Sequence, residues 1–297
     1  RRAIFGESHP DVADSLEELG LNLFDQGDLD QSVPLLQQAV AMRRETQGEL
    51  HPDLSDAISN LAYVMDATGN LEEAEVLLLE ALEMQRRIHD EAHPNVATAL
   101  SNVAYIYHVQ GEYEEAQAMY EELLSLRRSV LGERHPDVAT LLNNLAYLHY
   151  EKGDTTKAIA LGYETLNMRR EVLGARHPAV AQSLDAIALW SIEDGEFETA
   201  ESLLREAVDI NVEVHGDNHP EVADSLTRLA SCLVAQQQYT EAYQHASAAR
   251  QILVAALPDG HWRTALAASA EGAALAGLQR YADRPLKIGS FSAASNV

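Results

Sequence analysis

A His-Pro dipeptide recurs along the chain at a constant spacing, and this repeat restricts the fold more than any other feature. It occurs six times, with 42 residues between successive copies. His261 falls in the same phase, but Trp262 follows it in place of proline. A fixed period of this length is typical of one structural unit repeated along the chain. The copies are His9-Pro10, His51-Pro52, His93-Pro94, His135-Pro136, His177-Pro178 and His219-Pro220.

Each unit carries two stretches with helical periodicity. After the proline, apolar residues recur at helical spacing, as from Val138 to Leu148, until a glycine such as Gly153. Proline suits the first turn of a helix, because its missing N–H is not needed there. A second amphipathic stretch follows, such as 113–131. We call these stretches helix A and helix B. Helix A should end at Gly27, Gly69, Gly111, Gly153 and Gly195, with Gln237 as the exception.

A single helical hairpin cannot bury both of its apolar faces, so successive hairpins must stack on one another. The sequence therefore predicts an all-α fold, a right-handed α-α superhelix of antiparallel helical hairpins. Small residues recur where the helices must approach closely, since a bulky side chain there would push the hairpins apart. In helix A they are Gly20, Ala62, Ala104, Ala146, Ala188 and Ala230, and in helix B Ala74, Ala116, Ala158, Ala200 and Ala242.

These residues carry a resemblance to a known family. Leu145-Ala146, Gly153 and Ala158, with a large residue after the glycine in other repeats, resemble the tetratricopeptide repeat (TPR), whose usual unit has about 34 residues. The longer unit here, with Asn-Asn-Leu-Ala at 143–146, is similar to the kinesin light chain repeat and to bacterial proteins with the same unit. Residues 260–281 are similar to the final repeat of bacterial TPR arrays attached to Ser/Thr kinase domains. The resemblance covers 1–281 and implies a TPR solenoid of bacterial origin.

The two ends differ from the repeats between them. Residues 1–8 match the end of a helix B, so we expect a truncated upstream repeat and a larger parent protein. The array should occupy 9–281, as six full repeats and a seventh helix A over 262–278. Arg284 and Pro285 should prevent a seventh helix B, which leaves 282–297 as a disordered tail. The unpaired seventh helix should then expose an apolar strip and favour a homodimer through the terminal helices.

Charge and cysteine content limit the partners and the compartment. The formal net charge of -26 disfavours nucleic acid and membrane surfaces as partners, because both are anionic. Neither a run of 18 apolar residues nor a secretion signal occurs. Cys232 is the single cysteine, so an internal disulfide is impossible and a reducing compartment is expected. These features predict a cytoplasmic protein.

The chain has no recognisable catalytic or metal-binding motif. The repeat-phase histidines should lie about 10 Å apart, one per helical layer, and cannot share a metal; their expected role is to cap or pack at the start of helix A. His89 with His93, and His215 with His219, could supply two zinc ligands each, but without a third at fixed geometry. Cys232 lies on the buried side of a helix A. We therefore predict no enzymatic activity, no cofactor and no metal.

The TPR resemblance implies that two positions of each helix A face a concave groove, one two residues before the small residue and one just after it. In the middle repeats these positions hold asparagine and tyrosine. An Asn amide both donates and accepts hydrogen bonds, so it can bind a peptide backbone, and tyrosine favours binding surfaces. Alternatively, each Asn bonds the next helix A and only fixes the stacking. The predicted groove residues are Asn60, Asn102, Asn144, Tyr63, Tyr105, Tyr147, His108, Asn143, Asp185 and Arg228.

The predicted function is a non-enzymatic scaffold that binds an extended peptide or partner segment in this groove. Arg228 and His108 are the only evident cationic candidates there, so a neutral or basic ligand is expected. The alternative function is a self-associating regulatory module of a larger bacterial signalling protein. The carboxylates assigned to the groove are Glu18, Asp66, Glu151, Asp185 and Glu193.

Overall fold

The computed structural model describes residues 8–258 and 260–282, which form thirteen α-helices and no β-strand. The expected end of an upstream helix B and the expected tail lie almost entirely outside these residues. No helix within them is long and apolar enough to cross a lipid bilayer. The helices are α1 Pro10–Asp25, α2 Leu29–Gln47, α3 Pro52–Ala67, α4 Leu71–Ile88, α5 Pro94–Gln110, α6 Tyr113–Leu131, α7 Pro136–Glu151, α8 Thr155–Leu173, α9 Pro178–Glu193, α10 Phe197–His215, α11 Pro220–Ala235, α12 Tyr239–Ala256 and α13 Trp262–Ala282.

A histidine caps the start of every helix A. In each repeat the Nδ1 atom accepts a hydrogen bond from the backbone N–H two residues later, for example from Asp137 to His135 at 3.1 Å. The ring nitrogen thus replaces the oxygen that Ser, Asp or Asn would supply at this position. The same bond forms at His261, where tryptophan follows in place of proline. The predicted capping role is confirmed.

Most helices A end at a glycine whose backbone is in the left-handed region. Gly153 has a φ of 83°, and its N–H donates to the Tyr150 carbonyl at 2.9 Å. Gln237 makes the same turn with a φ of 64°, alone among the described non-glycine residues in having a positive φ. In the last repeat Gln279 holds this phase, and there the helix does not turn. As a result α13 continues to Ala282 instead of ending at the predicted residue 278.

The helices pack as successive hairpins within two compact units, residues 1–161 and 162–297. In the first unit each helix from α1 to α7 contacts the next one along the chain, and in the second the same holds from α9 to α13. Leu100 and Leu142 are fully buried in the first unit, and Ile187 and Trp190 in the second. The predicted all-α fold of antiparallel hairpins is confirmed.

The small residues of helix A occupy the closest contacts between helices. Each of the alanines assigned to this position, such as Ala104 and Ala188, has no exposed surface. A Cβ atom on Gly20 would lie 2.8 Å from Cγ of Leu36, which is too close for any side chain. The expectation that bulk is excluded here is confirmed.

Salt bridges join consecutive helices B at a constant separation of 36 residues. Arg44 pairs with Glu80 and Arg86 with Glu122 in the first unit. In the second, Arg170 pairs with Glu206 at 2.6 Å. All are partly exposed, so each stabilises by about 1 kcal/mol or less and serves mainly to align neighbouring repeats.

The left-handed turn at Gln237 generates a testable prediction. Gln237→Gly should raise the free energy of unfolding by about 1 kcal/mol, because glycine adopts positive φ without the steric cost that a Cβ imposes. The reverse change at the equivalent turn, Gly195→Gln, should lower it by a similar amount. Urea unfolding followed by circular dichroism measures both, and equal midpoints for the two variants would contradict the prediction.

Candidate functional site

Three tyrosines stand exposed at equivalent positions of neighbouring helices A. Tyr63 on α3, Tyr105 on α5 and Tyr147 on α7 are 59%, 51% and 36% exposed. Each follows a fully buried alanine, so their exposure is set by position on the helix rather than by loose packing. The Tyr105 hydroxyl lies beside the Asp66 carboxylate, and burial together with that charge raises the pKa of Tyr105. The predicted tyrosines thus share one accessible face in the first unit.

The three predicted asparagines lie three residues before these tyrosines, hence on the same side of each helix. Asn60 donates its amide N–H to Glu17 Oε1 at 2.5 Å, which fits the stacking role for this residue. The Asn102 and Asn144 side chains make no hydrogen bond to any residue that the structure describes. These two half-buried amides are therefore available to a ligand.

Two hollows separate the helices A along this face. The hollow between α3 and α5 has a volume of about 400 Å³ and is lined by Asn60 and Asn102. The next one, between α5 and α7, has about 280 Å³ and is lined by Asn102 and Asn144. Polar residues make up most of the lining of both hollows. We call Tyr63, Tyr105, Tyr147, Asn102 and Asn144 the Tyr–Asn face.

His108 and Asn143 belong to the same unit. Nε2 of His108 lies 2.8 Å from Glu151 Oε2, and its ring packs edge-on against Tyr113 and Tyr120. Its side chain is 17% exposed, so His108 joins α5 to α7 rather than standing free as a cation. Asn143 is half-buried beside Asn144 on α7.

Asp185 and Arg228 lie in the second unit and form a salt bridge with each other. Arg228 donates to the Asp185 carboxylate at 3.1 Å, and Ser225 donates to the same carboxylate at 3.0 Å. Asn211 in turn donates to the Ser225 hydroxyl. Burial raises the pKa of Asp185 to about 6, while Arg228 and Ser225 oppose the increase. Both predicted groove cations, Arg228 and His108, thus have carboxylate partners.

A series of buried polar residues on helix B was not predicted from the sequence. Arg43 is only 7% exposed, and its guanidinium donates to Asp14 and Glu17 at 2.9 Å and lies 3.3 Å from Asp53. The arginine therefore joins α2 to the helices A on either side. Removing one partner of such a pair leaves a buried charge uncompensated. The arginine and its carboxylate partners must therefore be present together.

The same helix position is polar in four further repeats. Arg169 is equally buried and donates to the Ser183 hydroxyl at 2.8 Å. Arg127 lies 4.0 Å from Asp137. A signal was present in the sequence, since polar residues recur every 42 residues on an otherwise apolar face. The residues at this position are Arg43, Gln85, Arg127, Arg169 and Asn211, followed by Leu253.

A family model for the tetratricopeptide repeat matches the chain over 11–87, 53–126, 95–171, 137–211 and 187–253. The chain belongs to the tetratricopeptide repeat family. The first four matches begin 42 residues apart, which is the period of the His-Pro dipeptide. No curated protein sequence matches this TPR chain.

Solved structures with the same fold include kinesin light chain relatives. The TPR-like repeats of a kinesin light chain from Podosopora anserina are 24% identical, with a TM-score of 0.62 over 70% of this chain and 99% of that one. BtubC (BKLC) from P. vanneervenii is 25% identical, with a TM-score of 0.61 over 70% and 82%. A Rap protein complexed with Competence and Sporulation Factor is 13% identical, with a TM-score of 0.54 over 90% and 75%. The predicted resemblance to kinesin light chain repeats is confirmed, whereas bacterial origin stays a prediction.

The two histidine pairs of this TPR chain stack on each other, and the cysteine is in the core. The rings of His89 and His93 stack in parallel with centroids 3.7 Å apart, and Nδ1 of His93 is already used by the helix cap. Nowhere in the described ranges do three His, Cys, Asp or Glu side chains converge on a position for a metal. Cys232 is fully buried, as predicted, and burial raises the pKa of its thiol.

The buried Asp185 predicts a specific pH dependence of stability. Its pKa rises from an ordinary 3.8 to about 6, so the folded protein holds this proton more tightly than the unfolded chain does. The resulting stability is fully present below about pH 4 and is lost as the pH rises through about 6. Relative to Asp185→Asn, the wild-type free energy of unfolding should fall by roughly 2 kcal/mol between pH 4 and 7.

Urea unfolding at a series of pH values measures this difference. Asp209→Asn, on the exposed side of α10, is the control for the loss of one negative charge. Parallel pH profiles for wild type and Asp185→Asn would show that the carboxyl is not perturbed.

Proposed function

We propose that this TPR chain is a non-enzymatic scaffold that binds an extended peptide or partner segment along the Tyr–Asn face of its first unit. The observation that supports the proposal is a row of three exposed tyrosines on α3, α5 and α7. On α5 and α7 a half-buried asparagine lies three residues before the tyrosine and bonds none of the described residues. Exposed aromatic side chains in a row are costly to leave in water unless a partner covers them.

The chemistry of the face fits a peptide backbone. An amide that donates and accepts can bond a backbone N–H and C=O regardless of the side chains of the peptide. Tyrosine contributes rigid apolar area with a polar tip, at little entropic cost. Neighbouring helices A lie about 10 Å apart, which corresponds to about three residues of an extended strand. The face therefore offers one tyrosine for about every three peptide residues, with an available amide beside it on α5 and α7.

The charge of the chain supports a neutral or basic partner. The formal net charge is -26, and the two predicted groove cations already have carboxylate partners. An acidic peptide would meet repulsion without compensation. The fold of this chain also accommodates a partner in another protein, since the structurally similar Rap protein was solved in complex with Competence and Sporulation Factor.

The double variant Asn102→Ala/Asn144→Ala tests the site. We expect it to weaken binding of extended neutral and basic peptides about tenfold or more, because each amide supplies hydrogen bonds to the backbone. Peptide arrays followed by fluorescence anisotropy at two salt concentrations measure the affinity. Helicity and melting temperature should stay nearly unchanged.

The matched control is Gln37→Ala/Gln251→Ala, which removes two exposed amides from helices B. It should bind as the wild type does. If the asparagine variant instead melts much earlier and binds with unaltered affinity, these residues only stack repeats and the proposed site is wrong.

A second candidate function is self-association, in a regulatory module of a larger bacterial signalling protein. The observation that favours it is the pair of exposed apolar side chains on one side of α13, where Trp262 and Leu266, four residues apart, are 66% and 54% exposed. A homodimer would cover this surface. Light scattering over a concentration series should then show a dimer that Leu266→Asp dissociates. A strict monomer at high concentration would rule this candidate out.

Cytoplasmic location is part of the same proposal. The single cysteine is a free thiol buried in the core, which suits a reducing compartment.

A further inference from the structure

The hollow between α3 and α5 lacks an arginine side chain that is present at the equivalent position one repeat earlier. In the first repeat Arg43 reaches from helix B between two helices A and bonds Asp14 and Glu17. Forty-two residues later the arginine is replaced by glutamine, while one of the carboxylates is kept. The corresponding pairs are Arg43 and Gln85, Asp14 and Asp56, Glu17 and Ser59, and Asp53 and Asn95.

In other repeats the chain itself supplies the cation. Arg127 lines the hollow between α5 and α7, whose volume is about 280 Å³, against about 400 Å³ where the arginine is missing. In the second unit, where helix B has no arginine at this position in its last two repeats, one comes from helix A instead. Arg228 bonds Asp185, and Arg263 bonds Asp224. In this protein, an arginine of the same chain thus usually neutralises the carboxylates between repeats.

Asp56 has no such partner. No Lys, Arg or His side chain that the structure describes lies within 4.0 Å of its carboxylate. Burial raises the pKa of Asp56, and the charges of Asp53 and Glu17 raise it further, while Arg43 lowers it only in part. Asp56 is nevertheless exposed, so a ligand can reach its carboxylate, and a positive charge beside it would lower this pKa again.

Gln85 supplies a second, independent feature of the same hollow. The residue is only 3% exposed, and its Oε1 atom has no hydrogen-bond partner among the residues that the structure describes. A buried acceptor without a donor costs free energy that a ligand donor would recover. Asp56 and Gln85 both line the hollow, together with the amide side chains of Asn60 and Asn102.

The remaining walls also accept hydrogen bonds. The Ser55 hydroxyl donates to the Ala81 carbonyl, and the Ser59 hydroxyl donates to the Ser55 carbonyl. Because both hydroxyl protons point into the protein, their oxygen lone pairs are left to accept from a ligand. The hollow therefore combines one carboxylate with several acceptors.

We propose that this hollow binds the guanidinium group of an arginine side chain from the ligand, in the place that Arg43 occupies one repeat earlier. The inference rests on the proposed peptide-binding function and names its specificity. Guanidinium carries five N–H donors and no acceptor, and its planar fork pairs with a carboxylate. Asn60 and Asn102 border the hollow, so a backbone lying along the Tyr–Asn face would bring one side chain directly above it.

Two peptides that differ only in charge test the inference. One is a fluorescently labelled nine-residue chain of alternating serine and alanine with a central arginine. The other carries citrulline there, which has nearly the same shape but no charge. With the full chain at low salt, we expect the arginine peptide to bind about tenfold tighter. In Asp56→Asn the preference should disappear.

Gln85→Arg provides a second variant that does not remove a charge from the hollow. It should fill the hollow, abolish the arginine preference and raise the melting temperature, because it supplies the missing cation. Asp30→Asn, on the exposed surface of α2, makes the same change in net charge as Asp56→Asn and should keep the preference.

The outcomes separate this inference from the proposed function. Suppose that the wild type binds both peptides with equal affinity and that Asn102→Ala/Asn144→Ala loses this binding. The arginine site is then wrong, and the proposal of a peptide-binding face stands. Failure of both peptides to bind overturns both. A preference that survives in Asp56→Asn and in Gln85→Arg places the arginine elsewhere and overturns the assignment.

Discussion

Within each of the two units, the packing of a helix A against its own helix B and against the next repeat is the constraint on which the rest of the structure depends. A hairpin alone leaves an apolar face in water, so stacking is obligatory and buries whatever polar group lies between repeats. Such a group must find a partner within the stack, because an unpaired buried charge is strongly destabilising. Arg43, with its three carboxylates, shows the requirement being met.

The same constraint separates structural charges from those open to a ligand. His108 and Arg228 are occupied by carboxylates of the neighbouring helix A, so neither is left over for an acidic partner. Asp56 and Gln85 are the opposite case, a carboxylate and a buried amide without their cation. Ligand recognition is thus expected where the pairing within the stack is incomplete, and not simply where charge is abundant.

The regular register of the helices turns a periodic sequence into a periodic surface. A histidine nitrogen caps each helix A at the same residue, so equivalent positions face the same way in successive repeats. Tyr63, Tyr105 and Tyr147 are exposed for this reason. The register changes in the last repeat, where the left-handed turn that Gln237 still makes is absent and α13 continues past the predicted end.

The sequence by itself determined the repeat length, the two helices of each repeat, their caps, the close contacts at small residues such as Ala104, and the family. These are local properties, set by periodicity and by neighbours a few residues away. It did not determine that Asn60 bonds Glu17 while Asn102 bonds none of the described residues, or that Arg43 is buried among carboxylates. Those facts depend on partners that are 26 to 43 residues away along the chain. Only the stacking of the helices decides which of these distant groups come within hydrogen-bonding distance.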